Sequence, residues 1–147
     1  MKSPIIIFTL FLLGAATIMM VNKPDAPKPR KKFNTDPGLP LTAMVFSDPQ
    51  QKIGNIPEGE KVNIDFHFKN TGKELLIITG VSVSCGCTVA EKPLEPILPG
   101  EDGVIKATFD SKGRVGNNHK VMMVYANTKE NAQELTFDVE VVPADNE

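Results

Sequence analysis

The chain has 147 residues, 41% of them apolar and 23% charged, with a formal net charge of −2. Six of the 16 basic residues (Lys2, Lys23, Lys28, Arg30, Lys31 and Lys32) fall in the first 32 positions with only Asp25 against them, leaving the remainder 10 basic and 17 acidic side chains. An acidic body of that kind argues against nucleic acid as a partner, because a phosphate backbone needs a positive face. With no Trp and one Tyr, the core has to rest on Val, Ile, Leu and eight Phe.

Pro4 to Val21 is an uncharged apolar run behind a single Lys2. Residues 1–21 therefore read as an export signal or a single membrane anchor. Small residues at Gly14-Ala15-Ala16 suit a signal peptidase, whereas Ile18 to Val21 prolong the run as an anchor would. Counting Lys and Arg on the two flanks puts five after the run and one before it, which taken alone keeps the domain in the cytoplasm. Residues 22–40 carry five prolines among Lys and Arg, a composition that forbids helix and extends the chain into a basic linker.

Residues 41–147 alternate with period two and are punctuated by Gly, Pro, Asn and Asp, the pattern of antiparallel strands. Thr42 to Ser47 makes a first short strand, ended by Asp48-Pro49, and Lys52 to Ile56 continues it before the turn at Pro57-Glu58-Gly59-Glu60. Lys61 to Lys69 is the clearest strand: Val62, Ile64, Phe66 and Phe68 take one face, and Asn63, Asp65, His67 and Lys69 the other. Asn70-Thr71-Gly72 turns the chain where positive φ is cheap. Leu75 to Ser84 follows as a largely buried strand, with a bulge expected at Gly80.

Thr88 to Glu91 extends before Pro93, Pro96 and Pro99 stop any ladder, and Pro99-Gly100-Glu101-Asp102-Gly103 signals a turn. Val104 to Asp110, His119 to Ala126 and Glu134 to Val142 complete about seven strands. The His119 strand is expected to be central, since Val121, Met123 and Tyr125 on one face and Met122, Val124 and Ala126 on the other are both apolar. The best fit is an all-β immunoglobulin-like antiparallel sandwich. It is not the antibody type, which needs a Trp and two well-separated cysteines.

Ser84-Cys85-Gly86-Cys87-Thr88 closes the most apolar run of this domain and holds its two cysteines. Four readings of Cys85 and Cys87 stand side by side. A local disulfide suits an oxidising compartment. Closing a three-residue loop is worth only roughly 1.6 kcal/mol by chain entropy, so such a bridge does not hold the fold together. A redox-active dithiol is the second reading, with Gly86 letting the backbone turn between the thiols. Against it, no Lys, Arg or His adjoins the pair in sequence to lower a thiol pKa, and Ser84 and Thr88 are neutral. A two-thiolate Cu(I) site is the third. Zn(II) would want four ligands, and only His67 and His119 remain as nitrogen donors, both read as surface histidines. The fourth is a packing corner kept for its shape.

No phosphate loop, nucleophile elbow or paired-carboxylate spacing is present, so no catalytic residue and no cofactor is expected. Met122 and Met123 read as core filler.

The pieces Phe68-Lys69-Asn70-Thr71-Gly72, Leu75 to Ile78, Ser84-Cys85-Gly86-Cys87-Thr88, Ile97-Leu98-Pro99-Gly100-Glu101, Phe109-Asp110, Gly116 and Val124 to Asn127 resemble, in order and spacing, a bacterial family known only as a domain of unknown function, number fifteen-seventy-three. The resemblance implies an immunoglobulin-like sandwich related to the domains of ASPM, SPD-2 and Hydin proteins and of major sperm protein. It implies export, against the charge count at the first segment. It implies no established activity and favours interaction over catalysis. The expectation is thus an extracytoplasmic, periplasmic or membrane-anchored binding or assembly module with a protein partner, touching the membrane through its first segment where that is retained. The alternative is a thiol-based redox or Cu(I)-handling protein using the Cys-Gly-Cys corner.

Overall fold

Phe66 and Phe68 point the same way from one strand, and burying two such rings stabilises the chain by about 2–3 kcal/mol each. A single sheet cannot cover them, so a second one does. The computed structural model describes residues 38–144. The expectations of a signal or anchor in residues 1–21 and of a linker in residues 22–40 lie outside the described residues, apart from Gly38 to Pro40.

Eight strands form: β1 (Met44–Phe46), β2 (Gln50–Pro57), β3 (Lys61–Asn70), β4 (Ile78–Val83), β5 (Thr88–Glu91), β6 (Asp102–Asp110), β7 (Gly116–Ala126) and β8 (Ala132–Val142). They make two four-stranded sheets, in the orders β1-β3-β6-β5 and β2-β8-β7-β4. All pairings are antiparallel except that of β2 with β8, which is parallel. This is the immunoglobulin-like sandwich expected from the alternation, and among the described residues no helix is long and apolar enough to cross a membrane.

The inner faces follow the period-two pattern. Ile64, Phe66, Phe68, Ile105, Ala107 and Phe109 come from one sheet, and Met122, Val124, Leu135 and Phe137 from the other. Phe109 and Phe137 meet edge to face across the layers with centroids 5.7 Å apart. β7 is central, between β8 and β4. Met122 is core filler as expected, but Met123 points the other way, onto the half-buried outer face.

Several local expectations need correction. The Lys52 to Ile56 segment does not continue β1: after Ser47-Asp48-Pro49 the chain changes sheets and pairs with β8 in parallel. Gly72 is needed for close approach rather than for positive φ, since a Cβ there would strike Thr42 Oγ1 and Ala43 N. The bulge near Gly80 is present, with the register shifting between Ile78 and Gly80.

Two buried amides tie the loops at one end. Asn70 accepts from Thr42 Oγ1 (2.9 Å) and Gly72 N–H (3.1 Å), and donates to the carbonyls of Glu74 (2.8 Å) and Ile97 (2.9 Å). Asn127 accepts from Ile77 N–H (2.8 Å) and donates to the Pro40 and Leu75 carbonyls (both 2.8 Å). Both amides bond to backbone groups that lie outside the eight strands.

Candidate functional site

β4 is the edge of one sheet and β5 the edge of the other, and the Cys-Gly-Cys corner is the crossover between them. Cys85 and Cys87 are joined by a disulfide, with Cα atoms 5.4 Å apart. The corner is held from both sides. Ser84 N–H donates to the Val121 carbonyl at 3.1 Å on the β7 side, and Asp110 N–H donates to the Cys87 carbonyl at 3.0 Å on the β6 side. Thr88, buried beside Phe109, places Oγ1 3.9 Å from each sulfur.

Cys87 is 5% exposed and belongs to the core, whereas Cys85 is half-buried. Gly86 is not needed for its backbone freedom: its φ is not positive, and a Cβ there would meet nothing within 4 Å. The expected steric reason for glycine at this position is therefore not one the structure supports.

Sequence adjacency gave no cation near the pair, but the fold supplies one. Lys120 follows the inward face of β7, and its Nζ lies 5.6 Å from the centroid of the Phe109 ring. Ser84 N–H bonds to the Val121 carbonyl, so Lys120 is the next residue of β7 at the point where the chain leaves β4 for the corner. Burial, and then the neighbouring Arg114, lower the pKa of Lys120 below the ordinary lysine value. Arg114 Nε is itself buried with no hydrogen-bond partner. The signal was present in the alternation: Lys120 shares its parity with Met122, Val124 and Ala126, and so had to enter the sandwich at its end.

β4 and β5, the edge strands of the two sheets, meet along one flank of the sandwich as a seam. The half-buried apolar side chains Val81, Val83, Cys85, Ala90 and Ile97 all pack on the core from this side. In an antiparallel ladder, residues alternate between pairs that exchange hydrogen bonds and pairs whose N–H and C=O groups point away. Ser84 bonds to Val121, so Val81 and Val83 turn their backbone groups outward, towards no strand. The seam is closed at its far end where Leu76 and Ile97 exchange backbone hydrogen bonds at 2.9 Å. Exposed Val89 and Leu94 stand beside it in sequence, at 63% and 88% exposure.

The two histidines do not meet the cysteines. His67 lies on the exposed face of β3, as expected. His119 is inside β7 rather than at a loop end, and its Nδ1 lies 2.6 Å from Asp138 Oδ1 on β8. Lys52, Asn55, Asn117 and Glu140 surround that pair in an open cleft of about 430 Å³. Exposed pairs of this kind contribute at most about 1 kcal/mol. Among the described residues, no group of three or more His, Cys, Asp or Glu side chains is placed to hold a metal ion.

Comparison with known proteins gives one family model, described as "Protein of unknown function (DUF1573)", which matches residues 44–141. No curated protein sequence matches the chain. Among solved structures, the ASH / PapD-like domain of human CEP192 is similar at TM-score 0.60 and 13% identity, covering 86% of this chain and 99% of that domain. A protein of unknown function from Porphyromonas gingivalis W83 gives TM-score 0.59 at 14% identity, over 68% of this chain and 47% of that one. The VesB protease of Vibrio cholerae gives 0.51 at 16% identity, over 67% and 31%. The chain thus spans less than half the length of these last two proteins. At such identities the likeness is one of fold.

Proposed function

The chain belongs to the family described as protein of unknown function (DUF1573), and on that premise we propose that its domain is a non-catalytic binding module that takes an extended segment of a partner protein along the β4–β5 seam. The observation that carries this reading is the pair of free edges flanking a strip of half-exposed core. Val81 and Val83 offer unpaired backbone groups, and Val81, Val83, Ala90 and Ile97 offer apolar area that a partner strand would cover. Strand addition draws affinity from main-chain hydrogen bonds and specificity from alternate side chains, and it needs both features in one place. The other edges are poorer: β1 is three residues long, and β2 is broken by a bulge between Lys52 and Gly54 and ends at Pro57.

The module works outside the reducing cytoplasm. The disulfide supports that reading, because such bridges persist in oxidising compartments. The apolar run at residues 4–21 supports it as well. Mass of the mature protein from cell fractions, with and without thiol alkylation, tests both. A reduced cytoplasmic form as the only species would overturn the placement.

A photo-crosslinking residue at position 81 tests the seam, with one at Asn63 on the outer face of the other sheet as control. The expected result is an adduct from position 81 alone, mapping to a partner segment with alternating apolar residues. Val83→Pro, which removes an outward N–H and leaves the β7 ladder intact, should abolish that adduct without unfolding the domain. Equal adducts from Asn63, or an adduct that survives Val83→Pro, would overturn the reading.

A further inference from the structure

We infer that Cys85–Cys87 is an exchangeable disulfide, attacked at Cys85 by a thiol and opened with Cys87 as leaving group, and that the Lys120 ammonium stabilises the thiolates so formed. Three observations bring these groups together. The Ser84–Val121 hydrogen bond brings the corner onto β7 at the residue next to Lys120. The Lys120 ammonium lies over Phe109, whose strand partner on β5 is Thr88, next to Cys87. The Thr88 hydroxyl stands 3.9 Å from both sulfurs, where it can donate to whichever becomes anionic.

Two cations, Lys120 and Arg114, neighbour each other at this end of the sandwich, where the carboxylates of Glu58 and Asp110 accept from the Gly113 and Lys112 amides. Neither Lys120 nor Arg114 forms a salt bridge among the described residues. Arg114 Nε is buried without a partner, and burial, then the charge of Arg114, lowers the Lys120 pKa. A partly buried cation is favoured by an anion within reach. Opening the bridge creates new negative charge at the corner. Access follows exposure: Cys85 is the half-buried sulfur, and Cys87 is sealed at 5%.

The chemistry balances with a thiol as the only co-reactant. An external thiolate forms a bond to Cys85 Sγ while the Cys85–Cys87 bond breaks, and the electron pair leaves on Cys87 Sγ. A second external thiolate attacks the outer sulfur of the mixed disulfide, releasing Cys85 as thiolate and the external pair as a disulfide. Two electrons pass from two thiols to the protein bridge, and the protons those thiols shed are available to the new cysteine thiolates. A cation beside the thiolates lowers their pKa and favours the reduced form.

Equilibration of the full-length protein in dithiothreitol redox buffers, read by mass after alkylation, tests this. Lys120→Met should favour the disulfide about tenfold, which is about 30 mV for a two-electron couple. Lys120→Arg should restore the wild-type balance. In the reduced protein, the pH midpoint of alkylation should lie below the free-cysteine value of about 8.5 and should rise in Lys120→Met. A lysine acting only through packing would move the melting temperature and leave that pH profile unchanged. Should Lys120→Met not fold, Arg114→Gln in the β6–β7 loop should shift both readouts the same way by less. A bridge that resists reduction until the domain unfolds, or equal potentials and pH profiles across these variants, would overturn the proposal.

Discussion

Asn70 shows how much one side chain carries here. It is fully buried and uses both acceptor positions and both amide hydrogens, linking β3 to Thr42, to the turn at Gly72, and to the Glu74 and Ile97 carbonyls. A net bond is worth about 1 kcal/mol, and a buried group left unpaired costs about 1–3 kcal/mol. Asn70→Ala should therefore lower unfolding free energy by about 3–5 kcal/mol in urea titration. A loss below about 1 kcal/mol would mean that water replaces the amide. The sequence marked Asn70 only as a turn residue, because a buried amide and a solvated one look alike until the loops they serve are placed. The same limit hid Lys120. Its parity along the strand was readable, but its place at the Cys-Gly-Cys end of the sandwich depends on β4 and β7 being neighbours. Gly86 misled in the other direction: glycine between two cysteines suggested a turn that only glycine could make, and the backbone turns there without a positive φ and with room for a Cβ.

Along whole strands, alternation was a dependable guide wherever one face met the core. Lys61 to Lys69 and Glu134 to Val142 fold with the faces their patterns dictate, because a one-residue slip would expose every Phe at once. It was weaker at edges. Nothing in Gln50 to Pro57 foretells a parallel pairing, since a parallel ladder partner leaves no local mark on a strand only half-covered. The β4–β5 seam escaped for a related reason: half-burial of Val81, Val83, Ala90 and Ile97 reflects which strands end each sheet. Edge status has a direct dynamic signature. Amide exchange at Val81 and Val83 should be close to the unprotected rate, while β6 and β7, bonded on both sides, should exchange only through large-scale opening. Protection of both edge amides in the isolated protein would show the seam already occupied, for instance by a second copy. Protection gained only with the partner present would locate the added strand there.

For the molecule as a whole, the architecture rests on contacts distant in sequence. β2 pairs with β8, β3 with β6 and β1 with β3, and the core runs continuously between the sheets. The one covalent cross-link spans two positions and constrains almost none of this. The global fold should therefore be indifferent to the thiol state even if the corner is chemically active. Urea unfolding of oxidised and reduced protein should be two-state in both, with the same slope and a difference near the roughly 1.6 kcal/mol of a three-residue loop. Cys85→Ser combined with Cys87→Ser should match the reduced form. This separation is what an exchangeable site requires, since a bridge essential to folding could not open in the native state. Loss of cooperative unfolding on reduction would mean that the corner bears the load between the sheets, and the sandwich could not then keep its shape through a redox cycle.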